Sequence, residues 1–250
     1  MDSVSSGNLY EEHTPEAIRR RLAGKKKLSY LGDAVLGAID GCVTTFAVVA
    51  GASGGNLSPA VALLLGTANL LADGFSMAVS NYQRAKSEME LLAKARIIEE
   101  KHIDQIPEGE REEVRQIFQR KGFAEPLLGR IVEQITQDRQ LWIETMLQEE
   151  HGFSLTKISP LRTGIVTFLA FLVVGSIPLL PYLLFFNLAP SWRFIASAVL
   201  TAGAFSGIGF FKGILLNRPP LTTAFETLGV GGGAAGLAYG VGALLRDILK

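Results

Sequence analysis

The sequence contains a single cysteine, Cys42, which excludes an internal disulfide and any cysteine-based metal cluster. It also has no excess of either charge: 24 basic and 24 acidic residues give a formal charge of zero, so nothing favours a nucleic-acid partner. No short apolar core with a cleavage site precedes Leu31, so we expect no cleaved signal peptide. The zero net charge conceals an uneven distribution of charged residues along the chain, because long apolar segments alternate with one densely charged block.

Five apolar segments are each long enough to cross a bilayer, which takes about 20 mostly apolar residues. The charged block at 83–157 contains no window that could do so, but glutamate-rich helical patterns run through it. The sequence therefore predicts an all-α membrane protein with five transmembrane helices and a cytoplasmic three-helix insertion between spans 2 and 3. The predicted spans cover 31–51, 59–82, 161–186, 194–216 and 222–245.

Helix signals place the finer boundaries. Span 2 is predicted to continue as a helix to about residue 103, and Pro107-Glu108-Gly109 is expected to form a turn. A helix at 110–120 follows, and a third is predicted from 125 to about 150, closed by Gly152. Pro178 and Pro181 predict a kink in span 3. Glycines in span 5 predict a small-xxx-small seam for close helix packing, at Gly232, Gly236 and Gly240.

The chain is accordingly divided into four parts. An N-terminal segment (1–27) contains a short helix with Thr14 as its N-cap, and precedes spans 1 and 2 (28–82). A helical metal-binding domain (83–157) and spans 3 to 5 (158–250) follow. Basic clusters at 19–21 and at Lys25, Lys26 and Lys27 precede span 1, and the basic residues of the charged block fall on the same side, which predicts that the N-terminus and residues 83–157 are cytoplasmic.

Acidic side chains lie inside the first two spans. Asp40 is near mid-depth in span 1, and Thr44 lies one turn further along the same side. In span 2, Asn69, Asp73 and Met77 follow one another at intervals of four residues, which aligns them on one face. An acid at this depth is rare unless it faces a partner, a cavity or a pathway. The two polar stripes therefore indicate a pathway, although satisfaction by neighbouring hydroxyl groups is the alternative.

The charged block contains pairs of metal-ligand side chains at helical spacing. Carboxylates and imidazoles suit Fe(II), Mn(II) and Zn(II), and a thioether shifts preference away from Mg(II) and Ca(II). The same residues could instead form ordinary exposed acidic faces and a core methionine. The candidate ligands are Glu99, His102, Glu110, Glu113, Met146, Glu149 and Glu150.

Two motifs resemble those of the vacuolar iron transporter family. The segment GAIDGCVT at 37–44 is similar to the family's first-helix motif, and Ser76-Met77-Ala78 is similar to the beginning of its second-helix motif. The order of two spans, a soluble insertion and three spans also resembles the family. The resemblance covers roughly 28–250 and suggests a bacterial-type member.

The resemblance implies export of Fe(II), and often Mn(II), from the cytosol in exchange for protons. It also implies a homodimer with the pathway at the subunit interface, lined by Asp40 and Met77. In the family the insertion binds metal through Glu and Met side chains, and the matching positions here are Glu99, His102, Glu110, Glu113, Met146 and Glu150. Transported ions, protons and the lipid bilayer are the implied partners, with no permanent cofactor and no enzymatic activity.

The chain departs from the family pattern at three points. Ser80 and Asn81 stand where the family has Gly-Glu, so a carboxylate at the membrane edge is missing. His102 replaces a usual Glu, and Leu147 stands where the family can have a second Met. These changes predict a weaker or differently selective metal site.

Two other functions fit parts of the sequence. A membrane-anchored di-iron ferroxidase or metal sensor would use the Glu99-x-x-His102 spacing, but would leave the acids inside the membrane unexplained. A purely structural scaffold would treat the polar stripes as packing devices. The absence of a long targeting sequence favours a bacterial inner membrane as the location.

Overall fold

The computed structural model describes residues 10–23, 30–156, 158–185 and 187–248. The basic residues Lys25, Lys26 and Lys27, used above for orientation, lie outside the described residues. Ten α-helices and one 3-10 turn can be followed in the described part of the chain. They are α1 (Pro15–Ala23), α2 (Leu31–Gly54), α3 (Pro59–Gln105), α4 (Pro107–Arg120), α5 (Leu127–Gln137), α6 (Arg139–Glu149), α7 (Pro160–Gly175), the 3-10 turn Ile177–Leu179, α8 (Leu180–Leu184), α9 (Pro190–Leu215) and α10 (Pro220–Ile248).

Five segments are long and apolar enough to cross a membrane, which confirms the predicted spans. They are α2, the apolar part of α3, the continuous segment Pro160–Leu184, α9 and α10. The all-helical fold class is also confirmed, since the described residues form no strand. Helix α1 begins as predicted, with the Ala17 amide donating to Thr14 Oγ1 at 3.3 Å.

Helix α3 continues without a break from the membrane into the insertion. Its N-cap is Ser58, whose hydroxyl accepts from the Val61 amide, and the helix runs for 47 residues from Pro59. At 1.5 Å per residue this is a rod of about 70 Å. It carries the span-2 polar stripe near one end and Glu99 and His102 near the other, so the two regions are joined by one rigid element.

The insertion differs from the prediction at two points. Pro107 to Gly109 is not a turn but the first turn of α4, where proline fits because its missing N–H would have no helical partner. The predicted third helix is broken at Asp138 into α5 and α6. The Asp138 carboxylate accepts from the amides of Gln140 at 2.9 Å and Leu141 at 3.1 Å, which starts a new helix in place of continuing the old one.

Helices α3 to α6 enclose an apolar core in the insertion. Val114, Met146 and Leu147 are fully buried there, and Trp142 and Ile143 lie beside them. This core fixes α4 and α6 against the end of α3. It therefore determines which polar side chains of the three helices meet.

Helix α2 is the centre of the membrane region and packs against α3, α7, α9 and α10. It approaches α7 at Gly37 and Gly41, where a Cβ atom would overlap the backbone of Thr167 and Phe171. Span 3 is interrupted at Pro178 as predicted, and the Pro178 carbonyl accepts a hydrogen bond of 2.7 Å from the Ser197 hydroxyl.

The glycines of α10 pack differently from the prediction. A Cβ at Gly232, Gly236 or Gly240 would meet no atom within 4 Å in the described chain. The close approaches are instead at Gly231, against the Phe205 ring, and at Gly242, against the Gly51 carbonyl. The predicted seam is therefore wrong for packing within one chain, and those three glycines lie on an open face.

Replacing Gly37 with alanine is expected to lower the free energy of unfolding by about 1–3 kcal/mol, because the added methyl group overlaps the Thr167 carbonyl oxygen. The matched control is Gly203→Ala on α9, where the methyl group meets nothing within 4 Å. Thermal aggregation in detergent, followed by size-exclusion chromatography, measures both. Equal melting of the two variants would contradict the close contact of α2 and α7.

Candidate metal sites in the insertion and in the membrane

Two glutamates of the insertion are buried, and among the described residues neither is paired with a lysine or an arginine. Glu99, on α3, is 1% exposed and Glu110, on α4, is 4% exposed. In each carboxylate the Oε2 atom is buried and has no hydrogen-bond partner. Buried acids are rare unless they are paired or bind a metal. The two orphaned oxygens are therefore the strongest sign of a ligand in the described residues.

Each buried carboxylate uses its other oxygen to contact a histidine. His102 Nδ1 lies 3.2 Å from Glu110 Oε1, and His151 Nε2 lies 2.9 Å from Glu99 Oε1. The Glu150 carboxylate is also near, with Oε2 at 3.9 Å from His151 Nε2. His151 was not among the sequence candidates. Its signal was weak: it is the residue after Glu150, where the chain leaves α6 and turns at Gly152 with φ +70°.

The side chains form two overlapping groups that share Glu99. One consists of Glu99, His102 and Glu110, and the other of Glu99, Glu150 and His151. Within each group one ligand atom from every residue lies within 4.8 Å of the others. Small adjustments would bring such atoms to about 2.0–2.2 Å from a common divalent ion, the distance for imidazole and carboxylate ligands of Zn(II).

Negative charge accumulates at this cluster. Burial, then the nearby charges of Glu113, Glu99 and Glu150, raise the pKa of Glu110 to about 7. The pKa of Glu150 is also raised, by burial first and then by Glu113 and Glu99. The hydrogen bond to Glu99 raises the pKa of His151, which favours its charged form. The raised pKa values of Glu110 and Glu150 reflect burial and like charges placed close together, which a bound metal ion would offset.

The remaining sequence candidates have different surroundings. Glu113 is exposed and acts on the cluster through its charge. Met146 is fully buried in the apolar core, where packing alone accounts for it. Glu149 forms an ion pair with Lys121 at 2.5 Å and belongs to neither group.

In the membrane region, the two polar stripes face one another across the α2–α3 contact. The Asp40 and Asp73 carboxylates are close enough to repel each other, and both are half-buried. Met77 packs beside the membrane core that contains Leu70 and Phe171. Together with Asn69 and Thr44, these side chains offer five possible ligand groups: two carboxylates, a thioether, an amide and a hydroxyl.

The two further candidates are held differently. The side-chain nitrogen of Asn69 is buried without a hydrogen-bond partner. The Thr44 hydroxyl donates to the Asp40 carbonyl oxygen at 2.9 Å, within the same helix. Thr44 therefore keeps lone pairs for another contact, and Asn69 keeps an unsatisfied polar group inside the membrane region.

Asn81, where the family motif has Glu, lies in a buried polar network. Its Nδ2 atom donates to Asp33 Oδ1 at 2.9 Å and to Thr167 Oγ1 at 2.7 Å. Arg84 donates to Asn81 Oδ1 at 3.0 Å and lies 3.6 Å from Asp33. Asp33 thus provides a carboxylate beside the position where Glu is missing, and Arg84 compensates its charge. The sequence interpretation assigned no role to Asp33 or Arg84 in this network.

Comparison with known proteins agrees with this architecture. Residues 31–243 match the VIT family. A vacuolar iron transporter of Toxoplasma gondii is 32% identical over 228 residues, which cover 88% of this chain and 76% of that protein. Vacuolar iron transporter 2 of Oryza sativa subsp. japonica is 31% identical, over 99% of this chain and 98% of its own length. Vacuolar iron transporter 1 of Arabidopsis thaliana is 33% identical, over 83% of this chain and 82% of its own.

The five spans and the charged insertion define a multi-pass membrane protein of the transporter class. The chain belongs to the VIT family. The family resemblance inferred from the two motifs is thereby confirmed, and metal transport is favoured over the ferroxidase alternative. The relatives named here are eukaryotic, so the bacterial-type assignment is not confirmed.

Replacing Glu110 with glutamine should stabilise the metal-free protein at pH 8. The pKa of Glu110 is about 7 in the fold, against a reference value of 4.5. Its contribution to stability is therefore greatest at low pH and is lost as the pH rises through 7, where the buried carboxyl becomes charged. With excess Zn(II) the order should reverse, because the variant lacks a ligand oxygen.

Thermal melting followed by the fluorescence of Trp142, which is buried in the same core, measures this effect in a Trp192→Phe background. Glu108→Gln is the control, because the Glu108 side chain is 89% exposed on the same helix. If Glu110→Gln melts below the parent protein at pH 8 in chelator, the carboxylate is not carrying an unfavourable buried charge.

Proposed function

We propose that the protein transports Fe(II), and also Mn(II), out of the cytosol in exchange for protons. The observation that carries the proposal is the proximity of the Asp40 carboxylate on α2 to the Asp73 carboxylate on α3, inside the membrane region, with Met77 one turn beyond Asp73. Carboxylates at this depth are costly and mark ion pathways. The names of the relatives, vacuolar iron transporters, support iron as the cargo.

In this proposal the insertion lies in the cytosol and captures the ion. Glu99 and Glu110 provide buried carboxylate oxygens without partners, and Glu113 and Glu150 add negative charge around them. Capture near the membrane raises the local concentration of divalent ions at the pathway entrance. The four-part division of the chain, with a cytoplasmic N-terminal segment and insertion, belongs to the same proposal.

The pathway is formed by the stripes on α2 and α3. Asp40, Asp73 and Met77 would coordinate an ion that has lost most of its water, with Asn69 and Thr44 as further oxygen ligands. Metal ligands must be deprotonated, so a proton delivered to Asp40 from the far side weakens its hold on the ion. Release of the metal and uptake of the proton are thus coupled at one carboxylate.

A thioether one helical turn from the Asp73 carboxylate fits the proposed cargo. Carboxylates suit Mn(II) as well as Fe(II), whereas a thioether contributes little for the harder Mg(II) and Ca(II). Met77 therefore distinguishes borderline transition metals from the abundant hard cations. The bacterial inner membrane stays a prediction, because the relatives are named for the vacuole.

We also infer a homodimer with the pathway at the subunit interface. Helix α10 is the least enclosed span, with 11% of its apolar window buried. Its open glycine face at Gly232, Gly236 and Gly240 has the small-xxx-small spacing that lets helix backbones approach closely. A second copy packed on this face would cover it.

Replacing Asp40 with asparagine is expected to reduce Fe(II) and Mn(II) flux to background, because the neutral amide can neither balance the ion nor exchange a proton. Flux into proteoliposomes under an imposed pH gradient measures this. The control is Asp104→Asn, which removes a carboxylate from an exposed ion pair with Arg139. Flux retained by a folded Asp40→Asn variant would remove this carboxylate from the pathway, and flux indifferent to the gradient would overturn proton exchange.

The dimer can be tested with cysteine cross-linking, since Cys42→Ser leaves no other thiol. Gly236→Cys in that background is expected to give a covalent dimer on mild oxidation. Leu169→Cys, exposed on α7, is the control and should stay monomeric on denaturing gels. A monomeric mass in detergent, together with no cross-link at position 236, would contradict the homodimer.

A further inference from the structure

The two metal-ligand groups of the insertion have the same composition. Each contains the shared Glu99, one further glutamate and one imidazole: Glu110 with His102, or Glu150 with His151. Neither imidazole belongs to the Glu and Met pattern that the family resemblance supplied. The sequence did not indicate His151 as a ligand, and its contact with Glu99 is seen only in the folded chain.

The carboxylates of this cluster are arranged to take a ligand. Glu99 and Glu110 each place one oxygen against a histidine nitrogen, at 2.9 and 3.2 Å, and leave the other oxygen buried without a partner. The histidines lie at the surface side of the cluster, since their side chains are 32% and 48% exposed. An ion arriving from solvent would thus meet nitrogen atoms first and buried carboxylate oxygens behind them.

Nitrogen ligands change which ion binds best. Sites made only of carboxylates suit Mn(II), whereas imidazole suits Fe(II), Ni(II) and Zn(II), and affinity rises from Mn(II) through Fe(II) towards Cu(II). Replacing one oxygen ligand by imidazole therefore increases the affinity for Fe(II), Ni(II) and Zn(II) relative to that for Mn(II). Two such replacements, one in each group, both shift the relative affinity away from Mn(II).

We propose that His102 and His151 each complete a cation site on the shared Glu99 carboxylate and make the insertion select Fe(II) and Zn(II) over Mn(II). This inference rests on the proposed function, because it assigns selectivity to the capture site. It concerns binding to the insertion and not passage through the membrane. Glu149 and Met146 have no part in it.

The test is metal binding to the full-length protein in detergent, by equilibrium dialysis with Zn(II) and with Mn(II). His102→Glu and His151→Glu replace nitrogen by oxygen ligands at each site. We expect each variant to lower the ratio of Zn(II) to Mn(II) affinity at least about tenfold, and the double variant to lower it further. His13→Glu, which changes the third histidine of the chain, is the control and should leave the ratio unchanged.

A spectroscopic measurement separates ligation from a structural role. Cu(II) bound to the insertion should show nitrogen superhyperfine splitting in its EPR spectrum, reduced in each single variant and lost in the double variant. If His102→Glu or His151→Glu melts at a lower temperature than the parent protein by Trp142 fluorescence, the corresponding Gln variant is used instead. The nitrogen splitting is again expected to be reduced in each single variant and lost in the double variant.

An unchanged affinity ratio, or an unchanged nitrogen splitting in the double variant, would overturn the assignment. Failure to bind Zn(II) in the parent protein would overturn it as well. This binding experiment and the flux experiment can fail independently, because binding is measured without a pH gradient and without transport. A protein that binds selectively and yet transports nothing would disprove the proposed function and leave this inference intact.

Discussion

A carboxylate that leaves water has to be neutralised by a cation, a proton or a set of hydrogen bonds, and the arrangement of this protein follows from which of these each acid receives. In the insertion, the basic side chains are used at the surface. Arg139 pairs with Asp104, Lys121 with Glu149, and Arg115 with Glu125. Among the described residues Glu99 and Glu110 are paired with histidines and with no lysine or arginine, and burial raises the pKa of Glu110, so that carboxyl group keeps its proton more readily than an exposed one.

The same distinction separates the acids of the membrane region. Asp33 is neutralised within the chain, by the guanidinium of Arg84 and the amide of Asn81. Asp40 and Asp73 face one another and have no basic partner among the residues that the structure describes. A fixed ion pair has a structural role and leaves no net charge for an ion to balance. The unneutralised pair is the one that gains most from a passing cation, which is why Asp40, and not Asp33, is placed in the proposed pathway.

Much of this could be predicted from the sequence, because hydropathy and helical periodicity are local properties. They gave the five spans, the faces carrying Asp40 and Asp73, and the continuation of α3, whose charged half contains neither proline nor glycine. They could not give His151, because it meets Glu99 across 52 residues and reaches it only through packing of α6 on α3. Periodicity identifies the polar side of a helix but not which helix it will face.

Two of the three differences from the prediction, at Asp138 and within α10, arise because a local sequence pattern does not decide between two alternatives. The break at Asp138 depends on a capping bond that competes with continuing the helix, and an aspartate within a helical pattern does not reveal which will prevail. The glycines of α10 were assigned to packing by spacing alone, whereas the neighbouring Gly231 and Gly242 make the contacts. Spacing recognises small residues, but the rotation of the helix about its axis decides which of them face a neighbour.

The length of α3 limits how an ion could pass from the insertion to the membrane. Glu99 and Asp73 are 26 residues apart on one helix, or about 39 Å at 1.5 Å per residue. No ligand could be shared over that distance, so in the proposed pathway an ion would leave the cluster and become hydrated before it reaches Asp40. The cluster would then act by raising the local ion concentration, and very tight binding would slow delivery. Arg84 lies between the two sites along α3, and its guanidinium is paired with Asp33, so in the proposed pathway its positive charge is already compensated where a cation would pass.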